Sequence, residues 1–447
     1  MIRIDEQTNV VKMAIPIFIE VLLFMIMGNV DTMMLSRFSD IAVAAVGNAN
    51  QILNTVLIVF NVTSAATGIM VTQYLGARKN EVLNQIYAMA FGFNVLLAGA
   101  IALLLYFFQV AIFGWIHMPQ ELYSDTAAYL NVTLGFLFVP ALFTVSSVIL
   151  KSHGQTKVTM FLAIGMNLLN VVGNAVFLFG PFGLPILGVR GVAISTVVSR
   201  SFALVVMLYI LIRHYRIRIK LKHYFELSKA EVLKFVKLGL PSAGEPMSYQ
   251  FSQMVIFSMI NLMGTTAVTT KIYVQILVWF TYLASLALAQ ANAIIVGHLI
   301  GAGKEDAAYR LTLRSLRYSV IITLTMSFVF ILFRKPLISI FTSDPEIIAM
   351  GATILLVDIF VELGRIFNLV IINAFKSAGD VYFPVIIGIF SMWGVSTLGA
   401  YILGVHLGFG LVGIWVAMAA DEILRGIIMF VRLMRGNWRG KQIVENH

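Results

Sequence analysis

The residues best placed to do chemistry in this sequence are acids and amides set inside long apolar runs. Glu20 and Asp31 stand eleven residues apart in the mostly apolar stretch 12–35. Eleven residues are close to three helical turns, so the two carboxylates share one face, about 16 Å apart along the axis. A charge at membrane depth is costly and needs a reason to be there. One reason is a protonatable or sodium-binding carboxylate that faces the protein interior. The other is an aspartate solvated among headgroups at a helix end, and for Asp31 both stay open. Asn167, Asn170 and Asn174 follow at i, i+3 and i+7 within 157–180 and share a face. Amides in such a position either tie helices together or offer oxygen ligands to an ion.

Further charges sit in comparable runs. Glu245 stands four residues after Pro241, as Glu20 does after Pro16. A proline inside a membrane helix frees backbone carbonyls. A carboxylate one turn beyond it reads equally as an ion site or gate and as one member of a symmetric structural pair. Asp358, Glu362 and Arg365 fall at i, i+4 and i+7, a spacing that reads first as an internal salt bridge. Lys271 has no acid near it in sequence, so its partner comes from another helix or it snorkels outward. Arg200, Asp421 and Glu422 read as structural pairs.

Other chemistries are excluded. The chain has no cysteine, which removes disulfides, thiolate catalysis, haem attachment and cysteine-bound zinc. Its seven histidines show no metal-ligand spacing. It has no glycine loop followed by lysine and serine or threonine, so no ATP-driven pump is read here. Energy must then come from an ion gradient, and the membrane potential alone supplies about 2.3 kcal/mol per charge at 100 mV.

The elements that must position these residues are membrane helices. Of 447 residues 60% are hydrophobic and only 12% charged, against about 25% charged in a soluble domain. The mean hydropathy is +0.92, and the 34 glycines suit membrane helices. Spans of roughly 20 apolar residues are predicted at 12–35, 42–73, 85–110, 124–149, 157–180, 188–212, 231–263, 265–298, 308–333, 346–375, 382–404 and 410–433. The polar start MIRIDEQTNVVK argues against a cleavable signal peptide, so the first span is expected to stay. Lysine and arginine concentrate in the even-numbered loops and the C-terminal tail, which places both termini in the cytoplasm. The basic run at 213–229 reads as a linker beside anionic lipid and not as a nucleic-acid site.

The chain also repeats itself. KMAIP at 12–16 matches KLGLP at 237–241, YLGARK at 74–79 matches LIGAGK at 299–304, and KSHGQ at 151–155 matches KSAGD at 376–380, each at an offset of 225. GVRGVAIS at 188–195 and GLVGIWVA at 410–417 match at 222. The expected architecture is therefore an all-α integral membrane fold of twelve transmembrane helices in two pseudo-symmetric six-helix bundles, 1–212 and 231–447, joined by a cytoplasmic basic linker at 213–230. Parallel repeats of this kind bind substrate between them near the midplane.

These features together resemble the multidrug and toxic compound extrusion (MATE) family, from Pro16 to about Arg425. The specific pieces are NVDTMMLSR at 29–37, QYLGARK at 73–79, NVVGNAVFLFG at 170–180, GVAIST at 191–196 and NAFKSAGD at 373–380. The resemblance implies two six-helix bundles forming an outward-facing V. It also implies a cation site in the N-terminal bundle at Asp31, Asn170, Asn174 and Thr196. Some relatives carry aspartate where this chain has Asn174, which leaves proton and sodium both open as the coupling ion. Some carry a glutamate where Tyr249 stands and an aspartate where Arg365 stands, so their second cation site does not transfer as written. Glu20, Glu245, Asp358, Glu362, Lys271 and Tyr249 are the candidates for a substrate site or a second ion site.

The function expected is alternating-access antiport, in which a proton or sodium ion enters and an organic, cationic and amphipathic compound leaves the cell through its inner membrane. No enzyme activity, no cofactor beyond the coupling ion, no metal other than sodium and no nucleic acid are expected. Lipid surrounds the chain, which reads as a monomer. The competing reading within the same superfamily is a lipid-linked oligosaccharide flippase, which tends toward a cavity rich in arginine and lysine for pyrophosphate. Only Lys271, Arg200 and Arg365 answer that description here. A membrane enzyme would need clustered nucleophiles or metal ligands, and a channel a filter motif; the sequence has neither.

Overall fold

The computed structural model describes residues 4–217 and 229–444. The central part of the predicted basic linker, 218–228, lies outside the described residues. Every regular element described is helical: α1 (Val10–Ser36), α2 (Asp40–Gly76), α3 (Asn80–Trp115), α4 (Tyr123–Gly135), α5 (Phe138–Ser152), α6 (Thr156–Phe179), α7 (Gly188–Arg213), α8 (Lys229–Asn261), α9 (Thr265–Gly301), α10 (Glu305–Leu332), the short α11 (Arg334–Ser339), α12 (Pro345–Ala378), α13 (Tyr382–Ser391) and α14 (Gly410–Arg435). Helix thus covers each predicted stretch.

Two stretches depart from a straight helix. The fourth, predicted as 124–149, is broken into α4 and α5, with a bend of 53° between the helical stretches. Gly135 ends α4, and Pro140 falls in the first turn of α5, where its missing N–H breaks no helical bond. The eleventh continues from α13 as π-helix over Met392–Thr397 and Ala400–His406. There the Thr397 hydroxyl donates to the Met392 carbonyl, five residues back, at 2.9 Å.

Among the described residues nine helices are long and apolar enough to cross a membrane, or ten if the bent pair α4–α5 is one span. Neither α8 nor α14 is among the nine. α14 carries Asp421, Glu422 and Arg425 close together, and α8 is diluted by Pro241, Pro246 and repeated serine and glutamine. Large apolar side chains stand outward, Leu96 and Phe107 in α3 and Phe390 in α13 at 75% exposure. Asn94, Asn170, Asn174 and Glu362 are buried instead. Apolar outside with polar inside is the pattern that lipid selects, since lipid hydrates no polar group.

The described residues divide into two compact units. The first contains those of Ile19–Val71 and Lys79–Phe235. Its apolar core joins Leu35, Val46, Phe60, Phe113, Leu130, Leu178 and Val192. The second contains Ile4–Phe18, Thr72–Arg78 and Val236 onward, with a core around Ile256, Val274, Leu277, Ile354, Val361 and Trp415. The beginning of α1 and the end of α2 thus belong to the second unit, which a cut at 212 in the chain does not anticipate.

Candidate functional site

In the first unit, α6 and α7 approach closely because Gly173 faces Ser195. A Cβ on Gly173 would lie 2.3 Å from the Ser195 Oγ, so only glycine lets the helices meet at this distance. The Ser195 hydroxyl donates to the Asn170 carbonyl at 2.8 Å across the same seam. This sets the amides of α6 beside Thr196 of α7 and Asp31 of α1. The Asn174 amide donates to Asp31 Oδ1 at 2.6 Å and to Asn170 Oδ1 at 3.2 Å, and Asn170 lies 3.2 Å from the Thr196 hydroxyl. With its amide turned over, Asn170 would itself donate to Asp31 Oδ1 at 2.8 Å and accept from Thr196 Oγ1. Asp31, Asn170, Asn174 and Thr196, the four residues the resemblance implied, therefore meet in one place.

Two features make this cluster suited to a small cation. Asp31 is half-buried and forms no ion pair among the described residues; amides hold it. Asn174 is fully buried, and its Oδ1 accepts no hydrogen bond among the described residues. One carboxylate with amide and hydroxyl oxygens is a hard, oxygen-only donor set, which suits a proton or an alkali cation better than a transition metal. No group of three or more His, Cys, Asp or Glu placed to hold a metal occurs among the described residues. The third amide on this face, Asn167, donates instead to the Leu23 carbonyl at 3.1 Å and ties α6 to α1.

Glu20, three turns earlier on α1, has a different setting. Lys151 Nζ lies 2.8 Å from its carboxylate, and Thr159 donates to it at 2.7 Å. In the second unit Lys376 Nζ lies 2.5 Å from Glu245. The two pairs are equivalent in the repeat, since both acids and both lysines are offset by 225. The alternative of symmetric structural pairing describes what these two acids do. The signal for their partners lay in the KSHGQ and KSAGD segments, which in the sequence marked the repeat and the cytoplasmic side.

The remaining acids form a network in the second unit. Gly364 permits it, because a Cβ there would lie 2.5 Å from the Glu422 backbone, so α12 and α14 touch. Glu362 pairs with Arg365 on α12. Arg425 reaches Asp421 at 3.0 Å and Glu422 at 2.9 Å, and Arg365 lies 3.7 Å from Glu422. Ser391 donates to Asp421, Trp415 to Asp358 at 3.0 Å, and Asn368 to Glu422 at 2.7 Å. Four carboxylates thus meet two guanidiniums in a buried place, and Glu362 Oε2 accepts no hydrogen bond among the described residues. Tyr249, 37% exposed, lies within electrostatic reach of Arg365 and Glu422. Lys271 stands 5.1 Å from the centre of the Phe257 ring, so its partner is an aromatic face on the preceding helix.

Arg200 departs from the expectation of structural pairing. Asp421 and Glu422 have arginine partners, but Arg200 makes no hydrogen bond or ion pair among the described residues. It lines a pocket of the first unit instead, one turn beyond Thr196 on α7.

Against known proteins, the MatE family model matches residues 16–176 and again 241–402. These two matches begin 225 residues apart, the offset found within the sequence. The uncharacterized transporter YisQ of Bacillus subtilis is 41% identical over 437 residues, covering 98% of this chain and 95% of its own. A protein described as probable multidrug resistance protein NorM, from Thermotoga maritima, is 24% identical over 98% of this chain and 95% of its own. Among solved structures, the Vibrio cholerae MATE transporter VcmN in its bent form superposes with a TM-score of 0.89 at 18% identity, covering 97% of each chain. That likeness carries the fold alone.

Proposed function

Because the chain belongs to the MATE family of secondary transporters, in the MOP superfamily, and is a many-spanning membrane protein and not an enzyme, we propose that it exports organic, cationic and amphipathic compounds in exchange for a proton or sodium ion. The observation that carries this reading is the state of Asp31. It is the one acid of the first helix held by amides and not by a lysine, so its charge is available to an incoming cation. A proton or sodium ion there removes the cost of a charge inside the bundle and lets α1 repack. The ion must bind the two access states unequally, or nothing moves. A cationic substrate and the coupling ion compete for the same negative site, and that competition couples them in antiport.

We infer twelve spans in two repeats of six, with 213–230 as the linker. The twofold match to one family model supports the repeat. α14 spans despite its charges, because Arg425 pairs with both Asp421 and Glu422 and Arg365 lies near Glu422, and in α8 Glu245 is paired with Lys376. Cytoplasmic termini in the inner membrane follow from the lysine and arginine bias, and a single chain suffices for the cycle. In the second unit the excess of carboxylates over guanidiniums needs a proton or cation to balance it, which supports Asp358 and Glu362 as a second coupling place. The test is efflux from proteoliposomes under an imposed proton gradient or sodium gradient, one at a time. Export driven by either gradient is expected; export indifferent to both would overturn the reading.

A further inference from the structure

The pocket that Arg200 lines has about 510 Å³ of empty space, part of it open to solvent. Its polar lining is Asn50, Asn54, Tyr129, Thr133, Thr196 and Arg200, and no acid lines it. Several of these groups are turned toward donation. Tyr129 donates to Asn50 Oδ1 at 3.4 Å, which leaves the Asn50 NH₂ group without a partner among the described residues. The exposed Asn54 amide and the Arg200 guanidinium have no partner either. Thr133 is engaged with the backbone of its own helix at 3.0 Å. Leu53, Leu57, Phe136 and Pro140 form an apolar wall. A guanidinium has five donors and no acceptor, in a fork that matches a carboxylate or phosphate. A half-buried guanidinium with no hydrogen bond or ion pair among the described residues, beside spare amide donors and an apolar wall, is the complement of an acid group on an apolar body.

Resting on the exporter reading above, we propose that this pocket is an acid-group subsite: the bound amphipath presents a carboxylate or similar monoanion to Arg200, Asn50 and Asn54. The subsite adjoins the Asp31 cluster through Thr196, which belongs to both. Asp31 is within electrostatic reach of Arg200. One molecule carrying an ammonium and an acid can therefore answer both charges, competing with the coupling ion at Asp31 while Arg200 selects for the acid. The same chemistry is offered by an organic solute or by an anionic lipid headgroup.

The test uses two fluorescent amphipaths identical except that one ends in a carboxylate and the other in its methyl ester. Binding to the full-length purified protein and gradient-driven export are measured for both. The wild type should prefer the acid by about tenfold or more, the worth of a charge-assisted hydrogen bond. Arg200→Gln should bring the ratio close to one. Asn54→Asp, at an exposed position, should reverse the preference, which keeps the test decisive if Arg200→Gln misfolds. Repeating the assay with and without phosphatidylglycerol separates the sources. A preference that survives added phosphatidylglycerol identifies the solute as the occupant. One abolished by it, with the lipid retained by wild type and lost by Arg200→Gln, identifies a headgroup. An unchanged ratio in both variants, or a wild type that prefers the ester, overturns the inference. Loss of gradient-driven export for acid and ester alike in the wild type would strike the exporter reading instead.

Discussion

At the scale of single residues, two carboxylates on one helix face have been given opposite tasks by their neighbours. Glu20 is neutralised by Lys151 and accepts a hydrogen bond from Thr159, whereas Asp31 faces amides that bind it without cancelling its charge. Asp31→Asn is expected to abolish gradient-driven export while the protein remains inserted and elutes as a single species; export at the wild-type rate would refute the role given to this acid. Asn174→Ala removes a hydrogen bond to a charged group, worth about 1.5–3 kcal/mol, and one oxygen with an unused lone pair. Affinity for the coupling ion should fall at least tenfold, read as a rise in the ion concentration for half-maximal export. The sequence could name these residues by type and spacing. Type and spacing could not separate Glu20 from Asp31, because helical periodicity reports a shared face and is silent about what stands opposite that face; only the family resemblance set Asp31 apart.

At the scale of elements, the ties between helices are buried ion pairs and glycine contacts. Glu20 on α1 and Lys151 on α5 are joined in a setting where both side chains are largely removed from solvent, at 4% and 13% exposure. Removing one partner of a buried pair leaves a charge uncompensated, at about 3–5 kcal/mol. Lys151→Met should therefore lower the thermal unfolding midpoint in detergent by several degrees, and Glu20→Gln with Lys151→Met should recover much of it. Equal destabilisation by the single and double variants would mean that the pair does not join these helices. The α4–α5 break was not anticipated, because a hydropathy window averages over a bend. The π-helical course of 392–406 was equally hidden, since the window registers apolar content and not the hydrogen-bond register.

At the scale of the whole molecule, the natural absence of cysteine makes the proposed topology open to a clean test. Gln120 and Ala302 are exposed and lie in loops assigned by lysine and arginine counts to opposite sides. In intact cells a membrane-impermeant maleimide should label Gln120→Cys and spare Ala302→Cys, which should react only after lysis. The reverse pattern would invert the molecule and with it the direction assigned to transport.

The amino-acid sequence alone determined that this protein lives in lipid, that it is helical, that it contains a repeat at 225 residues, and which polar residues lie on common helix faces. Those properties follow from local periodicity and composition, which any stretch of chain carries by itself. The tertiary structure decided which acids are cancelled by a lysine of another helix and which are not, that Arg200 makes no ion pair among the described residues, and that Thr196 links the Asp31 cluster to a pocket. Those depend on side chains far apart in sequence. The energy of a buried charge is fixed by whatever lies within a few ångströms of it in space, and no spacing along the chain specifies that.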